Sequence, residues 1–164
     1  MSRAIATFFG VGLLPWAPGT WGSAAAIPVA WVIHGLGGFP ALLLATIAVT
    51  LIGWWATAQA TKDSDDHDPS EIVIDEVAGI WIALLPLSGG LWHAGAEAWV
   101  FPWPGWVGAF VFFRLFDILK PGPVGWADRR NDALGVMLDD VIAGIMAALC
   151  VAVLAGIAHG LMGM

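Results

Sequence analysis

The chain alternates between apolar stretches and short polar clusters, and the stretches set the expected elements. A helix needs about 17 to 25 mostly apolar residues to cross a bilayer, and five segments are candidates. The first runs from about Gly22 to Gly37; it is short and carries Pro28, which predicts a kink or partial insertion. The second, Pro40 to Ala60, contains no charged residue. The third, Ile72 to Ser88, opens with the adjacent acids Asp75 and Glu76. The fourth, Pro104 to Leu119, carries Arg114 and Asp117 near its end, and the fifth, Leu134 to Ala158, opens with Asp139 and Asp140. This pattern predicts an all-α, polytopic membrane helix bundle with about five membrane segments, the first short or kinked. Residues 1–164 form a single domain in this reading.

Composition agrees. Hydrophobic residues make up 59% of the 164 and charged ones 12%, against about 25% charged in ordinary soluble domains. Mean hydropathy is +0.82, so too few polar residues exist to clothe a water-facing surface. The net charge of −7 offers no basic face for nucleic acid. A single cysteine, Cys150, excludes an internal disulfide and reads as a small buried hydrophobe. The opening "MSRAIATFFGVGLLPW" lacks a small-residue cleavage signature and is not expected to be a removed signal peptide.

The basic residues give an orientation. With five spans and the N-terminus inside, segments 1–21, 61–71 and 120–133 face inward and hold Arg3, Lys62, Lys120, Arg129 and Arg130. The outer loops, 38–39 and 89–103, hold no Lys or Arg, as the positive-inside rule requires. Asp75, Glu76, Arg114, Asp117, Lys120, Asp139 and Asp140 then fall at one depth, on the cytoplasmic side. Trp92, Trp99, Trp103 and Trp106 cluster at the outer edge, and Trp16, Trp21 and Trp126 at the inner one, as interfacial anchors do. "IVIDEVAGIWIALL" and "VMLDDVIAGIMAAL" look alike, and matching Asp75 to Asp140 aligns Gly79 with Gly144. The likeness is too short to establish a repeat.

The acids raise the chemical question. A carboxylate deep in a membrane costs roughly 2.5–3.5 kcal/mol, less near the interface, and neighbouring carboxylates repel. Capping of helix starts could account for one acidic pair. Two pairs and Asp117 at one depth point instead to a shared hard cation, and an all-oxygen donor set suits Mg²⁺ or Mn²⁺. The expected metal ligands are Asp75, Glu76, Asp139 and Asp140. In "FRLFDILKPGP", Arg114, Asp117 and Lys120 recur every three residues and form a stripe on a helix. Asp117 can join the metal shell there while the cations bind an anion; Pro121 and Pro123 end the helix. "WADRRNDALG" adds Arg129 and Arg130. In "LLPWAPGTWGSAAAIP", Gly19 and Gly22 permit tight turns, Thr20 or Ser23 can cap the following helix, and its first amides can cradle an anion. "TKDSDDHDPSEI" reads as a solvated loop, with Lys62 and Asp68 near enough to serve the site. His34, His93 and His159 fall at outer positions and receive no role.

Metal, cations and an anion cradle are the parts that phosphoryl transfer requires, and their depth suits a phosphorylated lipid head group. Other phosphatase signatures are missing: no Arg follows Cys150 at the cysteine-phosphatase spacing, where position 156 is Gly, and neither Asp-x-Asp-x-Thr nor "PSGH" occurs. A small divalent-cation or anion transporter is the rival class. It would need a continuous polar pathway through the outer half of the membrane, and Thr46 and Thr50 do not make one. A non-catalytic subunit that binds anionic lipid is a third possibility.

Four motifs in order, "PGTWGSAAAIP", "IVIDEVAGIW", "FRLFDILKPGPVGWADR" and "GVMLDDVIAGI", resemble the bacterial phosphatidylglycerophosphatase A family, over about Gly10 to Val153. The resemblance implies a Mg²⁺-dependent enzyme of the bacterial inner membrane, multi-pass, with its active site facing the cytoplasm. Such an enzyme removes the terminal phosphate of phosphatidylglycerophosphate, a substrate that stays in the lipid bilayer, to give phosphatidylglycerol. It also implies that Asp75, Glu76, Arg114, Asp117, Lys120, Asp128, Arg129, Asp139 and Asp140 belong to the site. In the resulting assignment Thr20, Ser23, Arg114, Lys120 and Arg129 bind phosphate, and Asp75, Asp117 and Asp139 are the catalytic candidates. A metal-bound water and a phospho-aspartate on Asp117 both remain open as nucleophile.

Overall fold

The computed structural model describes residues 1–62, 64 and 69–162, the side chains of His159, Leu161 and Met162 apart. His67 and Asp68 lie outside the described residues. Every described element is helical: α1 (Ser2–Ala6), a 3₁₀ turn (Val11–Leu13), α2 (Pro18–Ala60), α3 (Ile74–His93), α4 (Trp103–Leu119), α5 (Pro123–Asp128) and α6 (Ala133–Met162).

The first two expected segments make up α2, which reverses at Gly38 (φ 64°, ψ −158°), inside the expected turn at 38–39, and shows no break at Pro28. Ser23 meets Glu76, His34 meets Ser88, and Gly53 packs on Ile74. The arm before Gly38 therefore runs alongside α3 in the same direction, and the arm after it returns. Only glycine accepts this positive φ with so extended a ψ at little cost, whereas the carbonyl freed by a proline can be re-satisfied inside a bundle. Among the described residues, three helices are long and apolar enough to cross a membrane, Pro18–Ala60, Ile74–His93 and Ala133–Ala158. α4 has 17 residues. A count of five spans is thus not established.

α3 is the centre of the bundle. Residues 72–80 are all buried, and Val77, Ile80 and Leu84 interlock with Leu42, Phe113 and Met137 in the core. The outer faces stay apolar: Leu44, Leu51, Ile118 and Leu149 are exposed. That arrangement, with apolar side chains both inside and outside, suits lipid as the surrounding solvent.

In lipid, helices associate through close packing of small residues rather than a hydrophobic drive. α3 and α6 do this at Gly79 and Gly144. A Cβ at Gly144 would collide with the Gly79 carbonyl oxygen, and one at Gly79 would lie 2.8 Å from the Asp140 carbonyl oxygen and strike the Phe113 ring. The two glycines aligned by sequence likeness are thus the contact point of the two helices. Each stands one turn beyond its acids, so the crossing also brings the acids together.

On the second arm of α2, two threonines are satisfied by their own helix. Thr46 donates to the Leu42 carbonyl at 2.7 Å and Thr50 to that of Thr46 at 2.8 Å. Both hydroxyls are spent on their own helix, and the transporter reading finds no support.

Candidate active site

The start of α3, the end of α4, an interior turn of α6 and the start of α2 deliver the site. Asp75 and Glu76 occupy the first turn of α3, where the helix dipole favours negative charge. Arg114 and Asp117 lie in the last turns of α4. Lys120 then takes a left-handed conformation (φ 45°, ψ 52°) as the helix closes, its N–H bonding the Phe116 carbonyl at 2.9 Å. Pro121 follows and bars continuation. Asp139 and Asp140 sit nearly two turns inside α6, which begins at Ala133, so this pair does not open its helix and end capping cannot explain it.

These residues line one pocket of about 240 Å³. Its charged lining comprises five carboxylates, Asp75, Glu76, Asp117, Asp139 and Asp140, against two cations, Arg114 and Lys120. Both acidic pairs are buried, Asp140 to 3% exposure. An excess of buried negative charge demands protons or a further cation.

The contacts divide the acids into two groups. Carboxylate oxygens of Glu76, Asp117 and Asp140 lie within 4.8 Å of one another, the metal-competent cluster among the described residues. Arg114 Nη1 donates into this cluster, to Glu76 Oε1 and Oε2 at 2.6 and 2.7 Å, and stands 2.7 Å from Asp117 Oδ2. Ser23 Oγ lies 2.6 Å from Glu76 Oε2 and 2.9 Å from the Gly19 carbonyl oxygen, so its single proton can serve either. The second group surrounds Lys120, which donates to Asp139 Oδ2 at 3.0 Å and also pairs with Asp128. Burial works against the lysine charge, but the two carboxylates outweigh it and hold its pKa above the ordinary value. Asp75 Oδ1 accepts the Glu76 N–H at 2.9 Å, and Asp139 Oδ1 accepts that of Asp140 at 3.0 Å. One acid of each pair thus joins the cluster, and the other bonds the backbone beside it.

The donor set fits a hard divalent cation. Three carboxylates converge from three helices, no nitrogen or sulfur ligand intrudes, and the surrounding charge is unbalanced. Relative to the ligand set expected from sequence, Asp117 replaces Asp75 and Asp139 in the closest cluster, while those two still line the pocket.

The start of α2 differs from expectation. Neither Thr20 nor Ser23 caps the helix: Ala17 is its N-cap, with no side-chain bond. Nor do the glycines supply the turn, because the left-handed residues here are Trp16 (φ 65°) and Ala17 (φ 50°). Gly19 is needed for closeness, since a Cβ there would collide with Glu76 Oε1 and lie 3.2 Å from Arg114 Nη1. Ser23 reaches the site through Glu76, a contact that no local spacing discloses. Thr20 is not among the lining residues. Arg129 is exposed, makes no ion pair among the described residues, and lies outside the lining. Lys62 also lies outside it.

The comparisons with known proteins fit this geometry. The family model for phosphatidylglycerophosphatase A matches residues 4–155. A protein of Escherichia coli (strain K12) named phosphatidylglycerophosphatase A is 38% identical over 146 residues, covering 88% of this chain and 77% of that protein. One of the same name from Haemophilus influenzae is 36% identical over 148 residues, covering 90% and 84%. A Bacteroides thetaiotaomicron protein named putative phosphatidylinositol-3-phosphatase is 37% identical over 154 residues, covering 91% and 90%. No solved structure matches the chain.

Proposed function

The chain belongs to the phosphatidylglycerophosphatase A family, and from that premise we propose that it hydrolyses the terminal phosphate of phosphatidylglycerophosphate at the acidic pocket, with Mg²⁺ as cofactor. One observation carries the reading. Carboxylates from three helices meet two cations in a single pocket at one end of an otherwise apolar bundle. A lipid phosphate can enter such a pocket while its acyl chains remain in the bilayer.

Glu76, Asp117 and Asp140 would hold the ion, with Asp75 and Asp139 beside them. A divalent cation there supplies Lewis-acid polarisation of a phosphoryl oxygen and neutralises developing charge. Arg114 and Lys120 contribute fixed positive charge to the phosphoryl oxygens, the electrostatic stabilisation on which this chemistry depends. Asp128 and Asp139 hold Lys120 in place and keep it charged. Ser23 and Arg114 orient Glu76 from either side. The site faces the cytoplasm of the bacterial inner membrane in this proposal, a reading supported by the distribution of Lys and Arg.

The test is phosphate release by detergent-solubilised protein from phosphatidylglycerophosphate, with and without Mg²⁺, beside Asp75→Asn and Asp139→Asn. Activity that requires the ion and collapses in both variants is the expected result; full activity in both overturns the site assignment. Phosphatidylinositol 3-phosphate in parallel assays the head-group choice suggested by the name of the Bacteroides relative. Acid quenching during turnover of substrate that carries a radiolabelled terminal phosphate separates the two nucleophiles, since only a phospho-aspartate route leaves hydroxylamine-sensitive label on the protein.

A further inference from the structure

Outside the acidic pocket, a groove of about 490 Å³ separates the first arm of α2 from α4. Ala24, Ile27, Pro28 and Trp31 line it on α2, recurring at helical spacing on one face. On α4 it is lined by Trp106 and Phe110. One more turn toward the acidic pocket brings these stripes to Thr20 on α2 and Arg114 on α4. Groove and pocket therefore lie end to end along the same two helices.

The far end is closed. Phe101 lines it, and Trp31 donates from Nε1 to the Trp99 carbonyl at 3.0 Å, with the two indoles edge-on at 5.6 Å between ring centroids. From Ala24 to Trp31 the helix climbs about 10 Å, about two thirds of the roughly 15 Å of hydrocarbon in one leaflet. The groove is apolar, closed at its far end, and its near end points along the two helices toward the charged pocket.

We propose that this groove seats one acyl chain of the lipid whose phosphate enters the acidic pocket, a proposal that rests on the lipid phosphatase reading. Bilayer tails are as apolar as the groove, so entry gains no hydrophobic free energy. The groove instead fixes the depth and direction of the head group before reaction. Thr20 stands at the junction, which gives it a place in the site without lining the acidic pocket.

Two measurements test the proposal. Ala24→Phe and Ile27→Trp fill the groove from different positions. Each should lower kcat/KM for long-chain phosphatidylglycerophosphate at least about tenfold relative to the deacylated head group, since slight misplacement of a reacting group costs up to about a hundredfold. An unchanged ratio in both variants overturns the groove while leaving the activity intact. The second measurement uses the unaltered protein and needs no turnover: phosphatidic acid carrying a photoreactive diazirine in one acyl chain, with the crosslinks mapped by mass spectrometry. Crosslinks should concentrate on Trp31, Trp106 and Phe110, above those in a second apolar groove, formed by Leu43, Ile47, Leu51 and Ile145. Equal labelling of the two grooves overturns the proposal. Absence of any phosphate release from the unaltered protein overturns the lipid phosphatase reading instead, and the labelling still decides the groove.

Discussion

At one end of the bundle the buried His34 and Ser88 share a single hydrogen bond, Nδ1 to Oγ at 2.8 Å. At the other end five carboxylates crowd two cations. Both places bury polar groups among apolar helices, where an unmatched group costs several kcal/mol. At the His34 end one polar group answers another. At the acidic end charge of one sign is left over, although Arg114, Ser23 and Lys120 are already engaged. Matched burial of this kind serves the fold. Charge that the fold leaves unbalanced marks a place for a ligand, and under the proposed function that ligand would be a cation followed by a phosphate.

The largest test of that contrast is Asp140→Asn. Removing a negative charge from the crowded end should abolish phosphate release, by about a thousandfold, while thermal stability in detergent holds or rises because repulsion is relieved. A variant that stays active would remove Asp140 from the reaction, and one that unfolds would show it to be structural; either outcome would erase the difference between the ends. Gly144→Val comes next. The added side chain would press on the Gly79 backbone and force α6 away from α3, at about 1–3 kcal/mol for overpacking. Activity should fall with the melting temperature, because the same crossing aligns Glu76 with Asp140. Retained activity at lowered stability would separate the crossing from the site.

Much of this arrangement was legible in the sequence, and the misses have physical causes. Apolar length and the positions of Lys and Arg disclosed an all-helical membrane protein with its unusual charges gathered at one depth. That only one acid of each pair enters the cluster was also within reach. Adjacent helical residues point about 100° apart, so Asp75 and Glu76 cannot both face Asp140, nor Asp139 and Asp140 both face Glu76. Asp117, placed by sequence on the Arg114 stripe, takes the third position. The reversal at Gly38 falls within the expected 38–39 turn, whereas the kink expected at Pro28 is absent, because a proline inside a bundle can be accommodated while a chain reversal needs the rare φ. Ser23 looked like a cap because local spacing is all that a sequence displays. Its carboxylate partner lies fifty-three residues away, and only the packing of α2 on α3 creates that contact. Arg129 had the right charge in the right motif, but α5 leaves its side chain exposed and outside the pocket lining.

Ser23→Ala is a milder probe of the acidic end. It removes one hydroxyl near Glu76 and leaves Arg114 in place. Hydrogen bonds to charged groups contribute about 1.5–3 kcal/mol, so a decline of about tenfold or somewhat more in kcat/KM is expected, with Ser23→Thr retaining more activity than Ser23→Ala. Equal losses in the two would point to packing rather than to the hydroxyl.

The smallest effect belongs to the matched end, and it bears most directly on the contrast. Ser88→Ala strips His34 of its partner in a region where water is scarce, so stability should drop by about 1–3 kcal/mol, the cost of an orphaned buried polar group. Replacing both partners, in His34→Leu with Ser88→Ala, removes the unmet group along with the bond and should recover most of that loss. Neither change alters charge at the acidic pocket, so phosphate release from the folded fraction should stay within about twofold of the parent, inside the ordinary independence of distant sites. Unfolding in detergent and phosphate release, measured on the same preparations, check both halves. If losing His34 or Ser88 silences the enzyme while the fold persists, the polar pair belongs to the reaction, and leftover charge is no longer what marks the functional end of this bundle.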